Sequence, residues 1–292
     1  MSTSAIIDHL AKGAAKELEL LKSYIGSVYQ VSKKGTPEQI GTGTFIVIGN
    51  THLLITAAHV LDEQDKSGST LYLAGGKIRG LIQLTGSSFR TDKVAGDREH
   101  DHNDIAGIEI IGTLLDSIGE DAFLKISQVD VNDIGRPGIP YMALGYPCTK
   151  NKELNLVKHS FKRSLLGYTS ILKFLEPSAR CKCGTVLNRA SHLLLGFKKK
   201  KSGVIDGPPT TAPDIHGMSG GALWRFDYPP LPPGTSKMVG MLIEWRRELG
   251  AILVVRMPLI LEAIRNRYPH LSAEIPRTTT ITIGVNRSKS KP

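Results

Sequence analysis

The stretch APDIHGMSGGALW, Ala212 to Trp224, sets a serine between glycines ahead of an apolar run. A serine there is either a turn residue or a nucleophile. Acyl transfer by a serine needs its hydroxyl on a tight turn, a base to take the proton, and donors aimed at the oxyanion. Ser219 sits on such a turn, and its flanking glycines let backbone N–H groups converge without Cβ obstruction. The natural oxyanion donors are the N–H groups of Gly217 and Ser219.

Two upstream stretches supply candidates for the other roles. LLITAAHVL places His59 directly after an apolar run and ahead of a short helical turn. Read alone, such a histidine is a packing or capping residue as readily as a base. HNDIAGIEI places Asp104 at the entry to a strand of alternating apolar residues. A buried aspartate there needs a partner, and His59 would be one. Asp101 is the alternative acid, but it lacks the adjacent apolar strand. His100, His102 and His216 read as loop residues. His59 and Asp104 lie 45 residues apart, and Asp104 and Ser219 lie 115 apart. The order His, Asp, Ser is one of three known for this set of roles.

These residues need elements to position them. Ile6, Ile7, Leu10, Ala14, Leu18 and Leu21 recur at helical spacing, which predicts an amphipathic helix from about Ser4 to Leu21. Short strands follow in SVYQVS, GTGTFIVIGN, THLLITAAHVL, LYLAG, IRGLIQL and DIAGIEII. The segment 127–140, SQVDVNDIGRPGIP, reads as a linker. Strands resume in YMALGYP, SHLLLGF, GGALWRF, KMVGMLIEW and GAILVVRM. Pro258 then opens a helix, PLILEAIRNRY. Beyond Pro276, TTTITIGV could form one more strand. The expected division is an N-terminal helix (1–24), a β-unit carrying His59 and Asp104 (25–126), the linker, a β-unit carrying Ser219 and a closing helix (141–270), and a basic tail (271–292). Two such halves fit two barrels or two sandwiches.

TAAHV, NDIAGIEI and HGMSGGALW together resemble the three active-site motifs of trypsin/chymotrypsin-like serine peptidases, of the bacterial intracellular kind. KMVGMLIEW resembles the family's strand that follows the serine and lines the substrate cleft. PLILEAIRNRY resembles its closing helix. The resemblance runs from about Ser27 to Tyr268 and implies an all-β fold: two antiparallel six-stranded β-barrels with the active site between them. His59 is then the general base and acid, Asp104 its orienting carboxylate, and Ser219 the nucleophile. The activity implied is that of a serine endopeptidase working through an acyl-enzyme on protein or peptide substrates, with neither metal nor cofactor.

The chain departs from the digestive members at Met218, where they carry an aspartate. That aspartate pairs with a freshly cut N-terminal amine and orders the oxyanion hole, a charge-assisted contact Met218 cannot make. No IVGG is present, and YIGSV at 24–28 is only a faint echo. N-terminal zymogen activation is therefore expected to be absent, with the loop ordered by packing or by a partner. Pro213 stands six residues before Ser219, where digestive enzymes place the residue at the base of the pocket, and it offers no charge. Ile243, Glu244 and Trp245 are expected in the pocket wall. Glu244 would either favour basic side chains or point to solvent.

Composition bounds the alternatives. The 292 residues suffice for two packed halves, and the 30 glycines and 16 prolines suit a turn-rich β fold. No apolar run approaches the roughly 20 residues that cross a bilayer. Charged residues from Asp8 to Glu19 break up any secretory core. Three cysteines make no disulfide framework, which suggests a reducing, cytoplasmic setting. Cys148, Cys181, Cys183, His159 and His192 lack the spacing of a zinc site, so reduced structural thiols are expected. The net charge of +10 is partly clustered in FKKKKSG and NRSKSKP, read as a solvated hairpin tip and a disordered end. No nucleic-acid motif accompanies the lysines. The P-x-x-P of DYPPLPPGTSK reads as a rigid hairpin loop. A protein partner or sensor could control activity. The rival readings are a non-catalytic interaction module on the same fold, and an esterase or acyltransferase.

Overall fold

The computed structural model describes residues 13–31, 35–78, 80–136, 138–150, 154–155, 160–161, 163–176, 179–180, 184, 186–199, 202–204, 207–225, 235–277 and 283–288. Within them the chain is mainly β, with four α-helices. Helix α1 occupies residues 13–21, the described end of the helix expected from Ser4.

Alternating apolar residues in the first half form strands β1 (Ile25–Val31), β2 (Pro37–Ile48), β3 (Thr51–Ala57), β4 (Leu71–Gly75), β5 (Ile82–Gln83), β6 (Ser88–Thr91), β7 (Ile105–Glu109) and β8 (Leu124–Lys125). Helix α2 (Ala58–Ser67) follows β3, and α3 (Gly112–Ile118) follows β7. The second half runs through β9 (Pro140–Gly145), the small pair β10 (Leu154–Asn155) and β11 (Ser160–Phe161), then β12 (Leu166–Lys173) and β13 (His192–Gly196). After a second small pair, β14 (Ser202–Val204) and β15 (Gly207–Thr210), come β16 (Ala222–Arg225), β17 (Lys237–Arg246), β18 (Ala251–Arg256) and α4 (Met257–Arg267). Strand β19 (Val285–Ser288) ends the described chain.

The expectation of two closed six-stranded barrels holds for one half only. Strands β12-β13-β18-β17-β16-β9 close into an antiparallel barrel. The first half is instead an open sheet ordered β19-β6-β7-β3-β2-β1-β4-β5, with β8 pairing β2 in parallel. One end of this sheet is the two-residue strand β5, too short for a long ladder. At the other end, β19 occupies the outer edge of β6 through Val285–Thr91 and Ser288–Ser88. Residues 286–288 of the expected disordered end are thus strand, and 289–292 lie outside the described residues. Most of the strand expected in TTTITIGV lies outside the described residues, and only its last residue, Val285, opens β19.

One hydrophobic cluster joins the two halves and includes Ile25, Ile46 and Phe89 together with Met142, Trp224 and the α4 residues Ile260 and Ile264. Segment 127–140 is anchored by charge. Arg225 Nη1 donates to Asp133 Oδ2 at 2.9 Å and also to Asp130, while Arg256 Nε donates to the Asp133 carbonyl at 2.9 Å. Among the described residues no helix is long and apolar enough to cross a membrane.

Candidate active site

Helix α2 starts immediately after β3, so His59 falls in its first turn. Its N-cap position is Ala57, which has no side chain to accept the first N–H groups. Asp104 accepts them instead. Its Oδ1 takes the His59 N–H at 2.9 Å, and its carbonyl takes the Ala58 N–H at 3.0 Å. The carboxylate therefore caps a helix from another segment of chain, where the helix dipole favours its negative charge. Its second oxygen, Oδ2, lies 2.6 Å from His59 Nδ1. A carboxylate can only accept, so Nδ1 is the donor in this pair, and in the neutral ring Nε2 then carries the lone pair. Asp104 itself is held at φ 47°, a left-handed conformation that a non-glycine residue keeps only when its surroundings enforce it.

Ser219 lies in the second of two successive tight turns. The Met218 N–H bonds the Ile215 carbonyl at 3.0 Å across a turn whose third residue, Gly217, has φ 90°. The Gly221 N–H bonds the Met218 carbonyl at 2.9 Å across a second turn whose third residue, Gly220, has φ 88°. Both turns carry the positive φ of type II geometry at the place where glycine is favoured. Space adds a second reason: a Cβ on Gly220 would lie 1.9 Å from the Thr42 carbonyl oxygen, and one on Gly217 would lie 2.3 Å from Cys148 Sγ. These turns leave two donors over. Among the described residues the N–H groups of Gly217 and Ser219 have no protein acceptor, whereas those of Met218, Gly220 and Gly221 are all used.

The serine loop is held from the first half. The Thr42 hydroxyl donates to the Gly217 carbonyl at 2.7 Å, and the Thr42 N–H donates to the Ser219 carbonyl at 2.9 Å. The Thr44 hydroxyl reaches the Gly220 carbonyl at 3.2 Å. Gln39 Nε2 donates to the Tyr146 carbonyl on the neighbouring segment. Met218 is buried at 2% exposure and packs on Gly145 within the barrel's apolar cluster. Ile25, within the faint YIGSV echo, is a buried residue that pairs with Thr44 in the sheet.

His59, Asp104 and Ser219 all line one cleft of about 560 Å³. The ladder between β17 and β18 slips a register at Ile243, leaving that residue as a bulge. The Ser219 hydroxyl donates to the Ile243 carbonyl at 3.0 Å. Ile243, Glu244 and Trp245 line the cleft, and Pro213 is not among its lining residues. Its neighbour Asp214 is. The His216 N–H, followed by the Lys199 ammonium at 3.1 Å, holds the Asp214 carboxyl below the ordinary carboxylate range. Glu244 accepts from Arg246 Nη1 at 3.1 Å. Lys199 belongs to the FKKKKSG stretch read as a solvated tip, yet it is ion-paired beside the cleft, 5.7 Å from the Trp245 ring. Lys200 and Lys201 lie outside the described residues.

The other histidines fall as follows. His102 and His216 line the cleft without touching the reacting groups in any described contact, and His100 pairs with Asp97 at 3.4 Å. Asp101 bonds Arg98 at 2.5 Å, leaving Asp104 as the acid on His59. His192 is buried in β13, and its Nε2 lies 2.8 Å from the His102 carbonyl. Burial pushes it down to about 4, so it is a neutral ring that donates to the loop before Asp104. The Cys148 thiol donates to the Gln39 carbonyl at 3.0 Å, while Cys181, Cys183 and His159 lie outside the described residues, as does most of DYPPLPPGTSK. Among the described residues no cluster of His, Cys, Asp and Glu could hold a metal ion.

Thr42, Thr44, Asp214 and Arg98 did not stand out in the sequence. The available signal was weak: threonines interrupting an apolar strand in GTGTF, where a buried hydroxyl must find a partner.

No protein-family model and no curated protein matches the sequence. Among solved structures the chain is similar to the HtrA-type protease AlgW with a tripeptide, at 14% identity and a TM-score of 0.50, covering 88% of this chain. It spans 64% of the length of that AlgW chain. It is also similar to a Glu endopeptidase in complex with MPD, at 15% identity and a TM-score of 0.46, covering 85% of this chain and 91% of that one. At such identities the likeness shows the chymotrypsin-like fold alone.

Proposed function

We propose that this chymotrypsin-like chain is a serine endopeptidase that cleaves protein substrates through a Ser219 acyl-enzyme. One observation carries the reading. The Asp104-paired imidazole of His59 and the turn-borne hydroxyl of Ser219 line the same cleft, and the serine loop carries two backbone donors, on Gly217 and Ser219, with no acceptor among the described residues.

Each step has a named group. Ser219 Oγ leaves the Ile243 carbonyl and attacks the scissile carbonyl carbon. His59 Nε2 takes the hydroxyl proton, and Asp104 stabilises the resulting imidazolium through Nδ1–H. The carbonyl oxygen becomes an oxyanion and accepts from the Gly217 and Ser219 N–H groups. Collapse breaks the C–N bond as His59 returns its proton to the leaving amine. Water then attacks the acyl-enzyme with His59 again as base, releasing the acid and restoring the hydroxyl. Met218 fits the same reading, because packing and Thr42 order the oxyanion loop where the digestive enzymes use an ion pair.

The test is a proteome-wide search for new N-termini made by the wild-type chain and not by Ser219→Ala. A set dependent on Ser219 supports endopeptidase action. Turnover of esters with no new N-termini would move the assignment to an esterase, and equal activity in Ser219→Ala would refute the mechanism.

A further inference from the structure

We infer that Arg98 is a positioning residue for the His59–Asp104 pair, one that locks the helix bearing the base to the loop bearing the acid. The inference rests on the acyl-transfer reading above for its catalytic consequence. Its geometry stands independently.

Asp62 lies three residues after His59 on helix α2 and is buried at 1% exposure. Arg98 Nε donates to Asp62 Oδ2 at 2.8 Å, with Nη2 at 3.4 Å from Oδ1. The same guanidinium turns Nη1 to Asp101 Oδ2 at 2.5 Å and to the Thr91 carbonyl at 2.8 Å. One rigid fork therefore spans two carboxylates on two elements, a geometry that a lysine point charge cannot reproduce.

The far side of this clamp brackets Asp104. Asp101 Oδ1 accepts the Asn103 N–H at 3.0 Å, and the Thr91 hydroxyl, itself bonded to Asp101, accepts the Ile105 N–H at 3.1 Å. The backbone is thus fixed on both sides of a residue at φ 47°. A left-handed non-glycine residue persists only when its neighbours over-determine it, and here the clamp supplies that constraint. Burial alone would raise the Asp62 carboxyl, but hydrogen bonds from Arg98 and Arg90 more than offset this and hold it below its ordinary value. The Asp62–Arg98 arm of the clamp is therefore an ion pair at neutral pH.

Arg98 also lines the cleft, so the test must separate positioning from substrate contact. Arg98→Met, Arg98→Lys and Asp101→Asn are compared with wild type in three measurements. These are the labelling rate of Ser219 by a small uncharged fluorophosphonate, kcat and KM on an uncharged peptide, and the His59 Nδ1–H proton resonance. Misplacing a catalytic group by about 1 Å costs on the order of 10²-fold. Arg98→Met is therefore expected to slow labelling and kcat by about that factor with KM within about twofold. The acid limb of kcat/KM should move to lower pH as the imidazolium loses its carboxylate, and the His59 resonance should broaden or vanish. Lysine should restore less than a tenth of the loss. If Arg98→Met does not fold, Arg98→Lys and Asp101→Asn carry the same readouts. A folded variant with wild-type labelling, pH limb and resonance overturns the inference, as does an effect confined to KM. If wild type itself is not labelled, the acyl-transfer reading fails. The resonance still decides on Arg98, since its loss in Arg98→Met supports the clamp and its persistence overturns it.

Discussion

The Thr42 hydroxyl donates to the Gly217 carbonyl at 2.7 Å, across 175 residues of sequence. The same oxygen accepts the Tyr146 N–H at 3.0 Å. One buried threonine on β2 thus fastens the serine loop to the strand end beside it. Thr42→Val would leave the Tyr146 N–H without its acceptor, at a cost of about 1–3 kcal/mol, and the Gly217 carbonyl with only the longer bond from Gln39 Nε2 at 3.5 Å. We expect kcat to fall at least tenfold and the melting temperature to drop, with Thr42→Ser close to wild type. Steady-state kinetics and thermal unfolding check both.

Met218 explains how the loop is ordered without a charged pair. It is buried against Gly145, so Met218→Leu should keep activity within a few-fold. Met218→Asp puts a carboxylate into this buried position. An unpaired buried charge costs about 3–5 kcal/mol. The expected result is an inactive or unfolded Met218→Asp protein, read by circular dichroism and peptide hydrolysis.

Asp104 combines two functions, capping α2 and orienting His59. Asp104→Asn keeps a side-chain oxygen for the helix N–H but presents the wrong partner to Nδ1. The expected loss in kcat is on the order of 10⁴-fold, with far-UV circular dichroism unchanged. A loss below tenfold would remove Asp104 from the mechanism.

His192 makes a pH-dependent contribution to stability. Burial pushes it down to about 4, against 6.5 in the unfolded chain. Below pH 6.5 the unfolded state binds a proton that the native state refuses. Stability is therefore full above pH 6.5 and falls as pH drops toward 4, by on the order of 3 kcal/mol. His192→Gln retains a donor for the His102 carbonyl and cannot titrate. Denaturant unfolding of both proteins between pH 7 and pH 4.5 should show the wild type losing stability faster than the variant.

The sequence made local features legible because they depend on local rules. Apolar alternation marked β2, β3, β7 and β17, and a proline in the first turn marked α4. Residue type and order brought out His59, Asp104 and Ser219, and the structure places all three on one cleft. Sheet closure was not legible, because it depends on which distant edges meet. Nothing in VNRS announces a strand that occupies the edge of β6. The supporting contacts were hidden for the same reason. Thr42, Arg98 and Lys199 act on residues far along the chain, and their types alone fit an ordinary strand or a solvated charge. Pro213 was chosen by counting back from Ser219, whereas the cleft is lined one residue later, by Asp214.

The most direct test of Ser219 as an activated nucleophile is the intact mass of the protein after exposure to a fluorophosphonate. One adduct is expected, mapped to Ser219 by peptide sequencing, absent in Ser219→Ala and greatly slowed in His59→Ala. A wild-type protein left without an adduct on Ser219, or one labelled equally fast when His59 is alanine, would contradict it.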